Sequence, residues 1–195
     1  MNQLIIKITK PMKLSVFAFI IAICSFSSFA ASPPIDSGPK LGSQLPELTV
    51  LDQFGDKQKL SNIIRSKGAI IVLFRSADWC PFCKRHLVEL QSEAYKFRNK
   101  GYGVMGISYD TPKTLRKFSH KKKLSYTLLS DQNVETFKAL NVVNTENKPG
   151  DRHYGIPFPG VIVVDNMGKV VYTYFFEGYK KRVKFKKLLK DLDSI

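Results

Sequence analysis

Residues 69–86, AIIVLFRSADWCPFCKRH, place two cysteines directly after an apolar segment. The run 69–74 is continuously apolar and rich in β-branched residues, which predicts a central strand buried on both faces. Apolar side chains then recur at three- and four-residue steps, as on one face of a helix, at Leu87, Leu90, Ala94 and Phe97. Cys80 and Cys83 therefore belong to the start of a helix that follows a central strand.

Strands and helices alternate along the rest of the chain. Residues 47–60 predict a β-hairpin that turns at Gly55. Further strands are predicted over 103–110, 125–131, 160–165 and 169–176, with helices after 110, over 133–140 and at the carboxyl end. This order predicts an α/β fold with a mixed central sheet flanked by helices and an N-terminal β-hairpin extension. A Cys-x-x-Cys at the start of the first helix of a βαβ unit is a thioredoxin-like placement, so we expect a thioredoxin-like fold.

Four kinds of chemistry are open to a pair of cysteines two residues apart. A c-type haem needs His after the second Cys, but Lys84 stands there. Zinc would need a fourth ligand besides Cys80, Cys83 and His86, and neither His120 nor His153 lies in a ligand-like pair. A structural bridge across so short a loop constrains the unfolded chain little. The pattern favours a redox dithiol, with no metal and no cofactor.

The start of the helix favours a negative charge on Cys80. Free amide N–H groups and the helix dipole stabilise an anion there, and Pro81 suits the first helical position. Lys84 and Arg85 add positive charge. We expect Cys80 to be the attacking thiolate and Cys83, one turn further on, to be its resolving partner in a Cys80–Cys83 disulfide.

The first 30 residues have the pattern of a secretory signal peptide. Three lysines precede the short apolar run 14–26, and Ser28 and Ala30 are the small residues of a cleavage site. We expect cleavage after Ala30, an extended leader over 31–45, and a redox domain over 46–195. The protein is then secreted across the inner membrane, into the periplasm, with no stable membrane insertion. A short N-terminal anchor is the alternative.

The chain is strongly basic, with a formal net charge of +15. Without residues 1–30 it carries 28 basic and 16 acidic residues, a net charge of +12. Basic residues concentrate in 119–123 and 179–190, and neither run forms a nucleic-acid-binding motif. We interpret both runs mainly as solvated helix faces and expect no nucleic-acid partner.

Three segments resemble the thioredoxin superfamily: 71–83 (IVLFRSADWCPFC), 103–112 (GVMGISYDTP) and 156–174 (IPFPGVIVVDNMGKVVYTY). The resemblance covers about residues 40–190 and is greatest to the redoxin branch described as alkyl hydroperoxide reductase/thiol-specific antioxidant (AhpC/TSA), which is peroxiredoxin-like. The Trp-Cys-x-x-Cys sequence is the most specific of the three matching features, and the other two segments are moderately specific.

The resemblance implies a substrate-binding set around the dithiol. Pro159 is expected to be a cis-proline facing the cysteines, and Phe158 to present its backbone to a substrate strand. The remaining members of the set are Trp79, Pro81 and Arg75.

The sequence departs from the resembled proteins at two places. Phe74 stands where thioredoxins carry a buried acid. Ser76 and Cys80 occupy the Pro and Thr positions of the peroxide-binding motif when its Cys is aligned with Cys83.

Three functions follow from this pattern, and thiol-disulfide exchange with protein thiols or disulfides is placed first. In that reaction Cys80 attacks and Cys83 resolves. The alternative is a thiol-dependent peroxidase that reduces hydroperoxides, with Cys83 attacked by the peroxide and Cys80 resolving. Both reactions need an external thiol donor or acceptor. A basic, non-enzymatic binding module with a structural dithiol is the third.

Overall fold

The computed structural model describes residues 35–176 and 178–194. The predicted signal segment lies outside these residues, so its role stays a prediction. Among the described residues, no helix combines the length and the apolar character needed to cross a membrane. The strands are β1 (Thr49–Asp52), β2 (Lys57–Lys59), β3 (Gly68–Leu73), β4 (Tyr102–Ser108), β5 (Thr127–Ser130), β6 (Gly160–Val164) and β7 (Val170–Phe175). The helices are α1 (Leu60–Ile63), α2 (Pro81–Asn99), α3 (Pro112–Lys122), α4 (Glu135–Ala139) and α5 (Phe185–Asp191).

The seven strands form one mixed sheet in the order β2-β1-β5-β4-β3-β6-β7. β3, β4 and β5 are parallel, since a helix connects each to the next. β6 runs antiparallel to β3, and β7 antiparallel to β6. The predicted mixed α/β sheet is confirmed, and the N-terminal hairpin is the antiparallel pair of β1 and β2.

β3 is a fully buried strand of the sheet because both of its faces are covered. Ile70, Val72 and Phe74 enter one apolar cluster together with the dithiol and the inner faces of α2 and α5. The alternate residues Ala69, Ile71 and Leu73 enter a second cluster on the other face. This period-two division explains the continuous apolar run that predicted a central strand.

Helix ends follow the local signals in the sequence. Gly101 ends the α2 segment with a φ of +88°, a conformation that glycine adopts without steric cost. Thr111, rather than Asp110, caps α3, because its Oγ1 accepts a hydrogen bond of 3.2 Å from the Thr114 N–H. This leaves the Asp110 carboxylate available for the site described below.

The described part of the leader packs against the domain. The Gly38 N–H donates to the Asn141 carbonyl at 2.7 Å, Gln44 pairs with Lys169, and the Leu45 side chain is buried. The one-turn helix α1 was not predicted; it follows β2 directly and buries Leu60.

Candidate active site

The site lies at the edge of the sheet where β3 and β4 end and β6 begins. Leu73, the last residue of β3, pairs with Gly160, the first of β6, and Gly160 pairs with Phe175, the last of β7. The segments that leave β3, β4 and β7 therefore all start at this edge. The segment after β3 supplies the two cysteines. The segment after β4 supplies residues 109 and 110, and the segment after β7 supplies residues 176 and 178–184.

Cys80 is the N-cap residue of α2. Its Sγ accepts a hydrogen bond of 3.2 Å from the Cys83 N–H, and Pro81 occupies the first turn. Cys80 and Cys83 are joined in a disulfide, with their Cα atoms 5.3 Å apart. Both residues are buried in this oxidised form. After reduction of the disulfide, a negative charge on Cys80 Sγ would lie beside the unpaired backbone N–H groups of the first turn of α2.

The loop before Cys80 is held by the buried carboxylate of Asp110. Asp110 accepts hydrogen bonds from Ser76 Oγ at 2.8 Å, Ala77 N–H at 2.7 Å and Ser108 Oγ at 3.0 Å. Ser76 Oγ in turn accepts from the Asp78 N–H at 2.9 Å. Burial raises the pKa of Asp110, and the three donors oppose that rise. Asp110 thus positions the loop that presents the dithiol.

Trp79 is fixed by two aromatic neighbours. Its Nε1–H donates to the Tyr109 hydroxyl at 3.1 Å, and its ring stacks on His153 with centroids 4.1 Å apart. His153 comes from the irregular segment after α4, and periodicity in the sequence carries no sign that this segment returns to the dithiol. Both neighbours are site residues that sequence reasoning missed.

The Arg75 guanidinium lies between two aromatic rings. Its Cζ is 4.8 Å from the centroids of both Trp79 and Tyr179. Arg75 Nε is buried without a hydrogen-bond partner, and burial lowers the pKa of Arg75. A buried guanidinium donor without a partner is costly unless a ligand oxygen satisfies it.

Arg182 contacts the sulfur of Cys83. Its Nη2 lies 3.9 Å from Cys83 Sγ. Burial, together with the nearby charge of Arg75, lowers the pKa of Arg182 to about 10. Arg182 belongs to the basic run 179–190, which we predicted to be mainly a solvated helix face. That interpretation is wrong for Arg182, because the end of β7 carries it inward.

His86 is a packing residue of α2. It is buried, its ring stacks on Phe185 with centroids 4.4 Å apart, and its Nε2 lies 3.1 Å from the Val183 carbonyl oxygen. Burial lowers the pKa of His86 to about 4, so the ring is neutral at pH 7 and its N–H donates to that carbonyl. Among the described residues, no three His, Cys, Asp or Glu side chains gather as metal ligands.

The predicted cis bond before Pro159 is wrong, since no peptide bond among the described residues is cis. The preceding segment is held extended by two pairings across the chain. The Phe158 N–H donates to the Val142 carbonyl at 2.8 Å, and Pro157 pairs with Val143. The Phe158 N–H is therefore already bonded, and its side chain packs in the cluster on the sheet face opposite the dithiol. Pro159 itself is buried beside the first residue of β6.

Residues 41–173 match the model of the AhpC/TSA family. The chain belongs to the AhpC/TSA family. The resemblance stated from the sequence is therefore confirmed.

Two curated relatives show the extent of the likeness. Peroxiredoxin bcp1 of Schizosaccharomyces pombe is 31% identical over 121 residues, which are 62% of this chain and 60% of that protein. The chloroplastic peroxiredoxin Q of Sedum lineare is 33% identical over 154 residues, 77% of this chain and 78% of that protein. The chain thus spans about three fifths of the length of several such relatives.

The fold is shared with a solved family structure. Peroxidoxin BcpB from Mycobacterium tuberculosis superposes with a TM-score of 0.71 at 22% identity, covering 80% of this chain and 97% of that one. The predicted thioredoxin-like fold is confirmed.

The two residues that replace Pro and Thr of the peroxide-binding motif each have a structural role in this protein. Ser76, at the Pro position, is the hydroxyl through which Asp110 holds the loop. Cys80, at the Thr position, is the sulfur bonded to Cys83. This chain therefore has a disulfide-bonded sulfur at the position where the resembled motif has a hydroxyl.

Proposed function

We propose that this protein is a thiol-dependent peroxidase that reduces hydroperoxides through Cys83 and Cys80. Membership of the AhpC/TSA family supports this, as do relatives named peroxiredoxins. The observation that carries the proposal is Arg182 Nη2, 3.9 Å from Cys83 Sγ. A cation at that distance favours the thiolate, the form that attacks peroxide.

The proposed cycle balances two electrons. The Cys83 thiolate attacks one peroxide oxygen, the O–O bond breaks, and the other oxygen leaves as an alcohol after taking a proton. Cys83 is then a sulfenic acid. The Cys80 thiol attacks that sulfur, water leaves, and the Cys80–Cys83 disulfide forms. An external dithiol returns two electrons and two protons.

Arg75 and Trp79 are proposed to bind the hydroperoxide. Arg75 Nε is a buried donor without a partner, held between the rings of Trp79 and Tyr179. Its donation to a peroxide oxygen would satisfy that nitrogen and stabilise the charge that develops as the O–O bond breaks.

Thiol-disulfide exchange is the second candidate, and one observation favours it. Cys80 is the N-cap sulfur, next to the free amides of the first turn of α2. In exchange, Cys80 attacks a client disulfide and Cys83 resolves the mixed disulfide. The two candidates therefore assign the attacking sulfur differently.

Single cysteine substitutions separate the two assignments. We expect Cys83→Ser to lose the rapid reaction with hydrogen peroxide, since it removes the proposed attacking sulfur. Cys80→Ser is expected to react once and keep one sulfenic acid per chain. Stopped-flow peroxide consumption with a sulfenic-acid trap measures both, and the Cys80→Ala, Cys83→Ala double variant gives the background.

The opposite pattern would reverse the proposal. If Cys80→Ser abolishes the reaction with peroxide and Cys83→Ser accumulates mixed disulfides with protein clients, the protein is an exchange enzyme. Binding of a partner that persists unchanged in the double alanine variant, without any turnover, would favour the non-enzymatic binding module.

A further inference from the structure

α3 carries a row of exposed lysines on one face. Lys113, Lys117 and Lys121 follow one another at four-residue spacing, and all three are exposed. No acidic residue occurs between 111 and 130. Within the part of the chain that the structure describes, none of the three lysines forms an ion pair.

This row opposes the stability of its own helix. Like charges four residues apart destabilise a helix by about 0.2–0.5 kcal/mol per pair. Lys113 also lies in the first turn, where the helix dipole disfavours a cation, and no acidic residue offsets it there. Lys121 lies in the last turn, where the dipole favours a cation. Helix stability therefore accounts for Lys121 but gives no reason for Lys113 and Lys117 on the same face, and a role in binding does.

The row forms one wall of a groove that reaches the loop before Cys80. The groove has a volume of about 550 Å³, and its opposite wall is made by Ala77, Asp78 and Lys84. Lys84 Nζ donates to the Asp78 carbonyl at 2.6 Å, which ties that wall to the first turn of α2. We name this feature the lysine groove: Ala77, Asp78 and Lys84 facing Lys113, Lys117 and Lys121.

An exposed aromatic ring lies on the other side of the same lysines. Phe54, at the turn of the β1–β2 hairpin, is 64% exposed and lines a second depression together with Leu124 and the three lysines of the row. Apolar contacts beside charge are typical of protein–protein interfaces. This juxtaposition favours a protein as the partner.

We propose that the lysine groove docks the thiol donor, and that this donor is an acidic protein carrying a dithiol. The proposal rests on the proposed function, which requires an external source of two electrons. The donor is the macromolecule that must approach Cys80 in every cycle, and the groove ends in the loop next to that residue. Carboxylates on the donor complement the lysines, which steers its approach.

The docked donor reduces the disulfide by a balanced exchange. A donor thiolate attacks Cys80 Sγ, a donor–Cys80 bond forms, and the Cys80–Cys83 bond breaks with its electron pair on Cys83 Sγ, beside Arg182. The second donor thiol then attacks the donor's own sulfur and releases Cys80. The donor leaves as a disulfide, having supplied two electrons and two protons.

Two synthetic dithiol peptides test the groove without peroxide. Both contain Cys-Gly-Pro-Cys; one is flanked by glutamates and the other by glutamines. We expect the acidic peptide to reduce the oxidised protein at least about tenfold faster at low salt. The ratio should approach one at about 1 M salt, where screening reaches about 3 Å. Alkylation and mass spectrometry of quenched samples give the rates.

A charge-matched control distinguishes the groove from net charge. The variant Lys113→Glu, Lys117→Glu, Lys121→Glu is expected to lose the preference for the acidic peptide. The control Lys57→Glu, Lys138→Glu, Lys186→Glu reverses three exposed lysines elsewhere and should keep most of it. Both variants should be reduced by dithiothreitol at the wild-type rate, which shows that fold and disulfide are intact.

Two outcomes would overturn the docking proposal. One is a preference for the acidic peptide that survives in the α3 variant or is lost equally in the control. The other is equal rates for both peptides combined with α3-dependent binding of anionic lipid vesicles or a DNA duplex, which would assign the row to a different partner. The peroxidase proposal has its own test, which is peroxide consumption with dithiothreitol as the donor. If no peroxide is consumed in that assay, the peroxidase proposal fails independently of the docking proposal.

Discussion

At the residue scale, we expect the chemistry of Cys83 to depend on the position of one guanidinium. Arg182 is held half-buried beside Cys83 Sγ, and its own lowered pKa records the cost of placing that charge there. We expect Arg182→Met to lower the rate of peroxide reaction at pH 7 about tenfold. An opposite charge this close typically lowers the pKa of an acidic group by about one unit or more, so its removal leaves less of the Cys83 thiol ionised. The midpoint of the pH–rate profile should move upward.

Arg85→Met is the matched control for this substitution. Arg85 is an exposed cation of α2 whose guanidinium lies over Phe82, so its removal takes away similar charge without contact to the sulfur. Equal effects of the two substitutions would show that general charge, rather than the contact with Cys83, supports the reaction.

At the element scale, His86 joins α2 to the segment that carries Arg182. The pKa of His86 is lowered by burial from 6.5 to about 4, so the unfolded chain binds a proton that the native chain excludes between these values. Stability is therefore full above about pH 6.5 and falls as the pH drops toward 4, by on the order of 3 kcal/mol.

The substitution His86→Gln tests this link. Its amide can still donate to the Val183 carbonyl but does not titrate in this range. We expect urea unfolding between about pH 4.5 and pH 7 to depend less on pH in His86→Gln than in wild type. His120→Gln, at an exposed position on α3, should keep the wild-type slope. An unchanged slope in His86→Gln would place the acid sensitivity elsewhere.

At the scale of the whole molecule, unbalanced positive charge opposes compaction. The formal net charge is +15, and three ion pairs form among residues 35–176 and 178–194: Lys96–Glu93, Lys100–Asp193 and Lys187–Asp191. We expect moderate salt to stabilise the protein by about 1 kcal/mol, or roughly 2–4 °C in Tm, because it screens this repulsion.

The α3 charge-reversal variant provides the comparison for this effect. Its three Lys→Glu changes lower the net charge by six, so its Tm at low salt should be higher and its response to salt smaller. Differential scanning calorimetry in sodium chloride measures both. A salt response equal to that of wild type would mean that local contacts, rather than net charge, set the dependence.

Local patterns in the sequence were enough to locate the dithiol and most of the elements, although the one-turn helix α1 was not predicted. Strand periodicity of two around Ile71 and helical spacing around Leu90 are local properties, and both elements formed where they were predicted. Cys80 at the N-cap with Pro81 after it follows from the same local rules. The motif residues were sufficient to recognise the AhpC/TSA family, because each matching segment is continuous in the chain.

The residues that surround the sulfurs come from segments far apart in the chain, so only the folded structure shows them. Arg182 and His153 reach the site because β7 and the segment after α4 end at the same edge of the sheet as β3. The conformation before Pro159 was likewise decided by a distant partner, Val142. Such contacts join positions far apart in sequence, and no local pattern encodes them. The identity of the reacting sulfur depends on these contacts, since the charges beside each sulfur come from different parts of the chain.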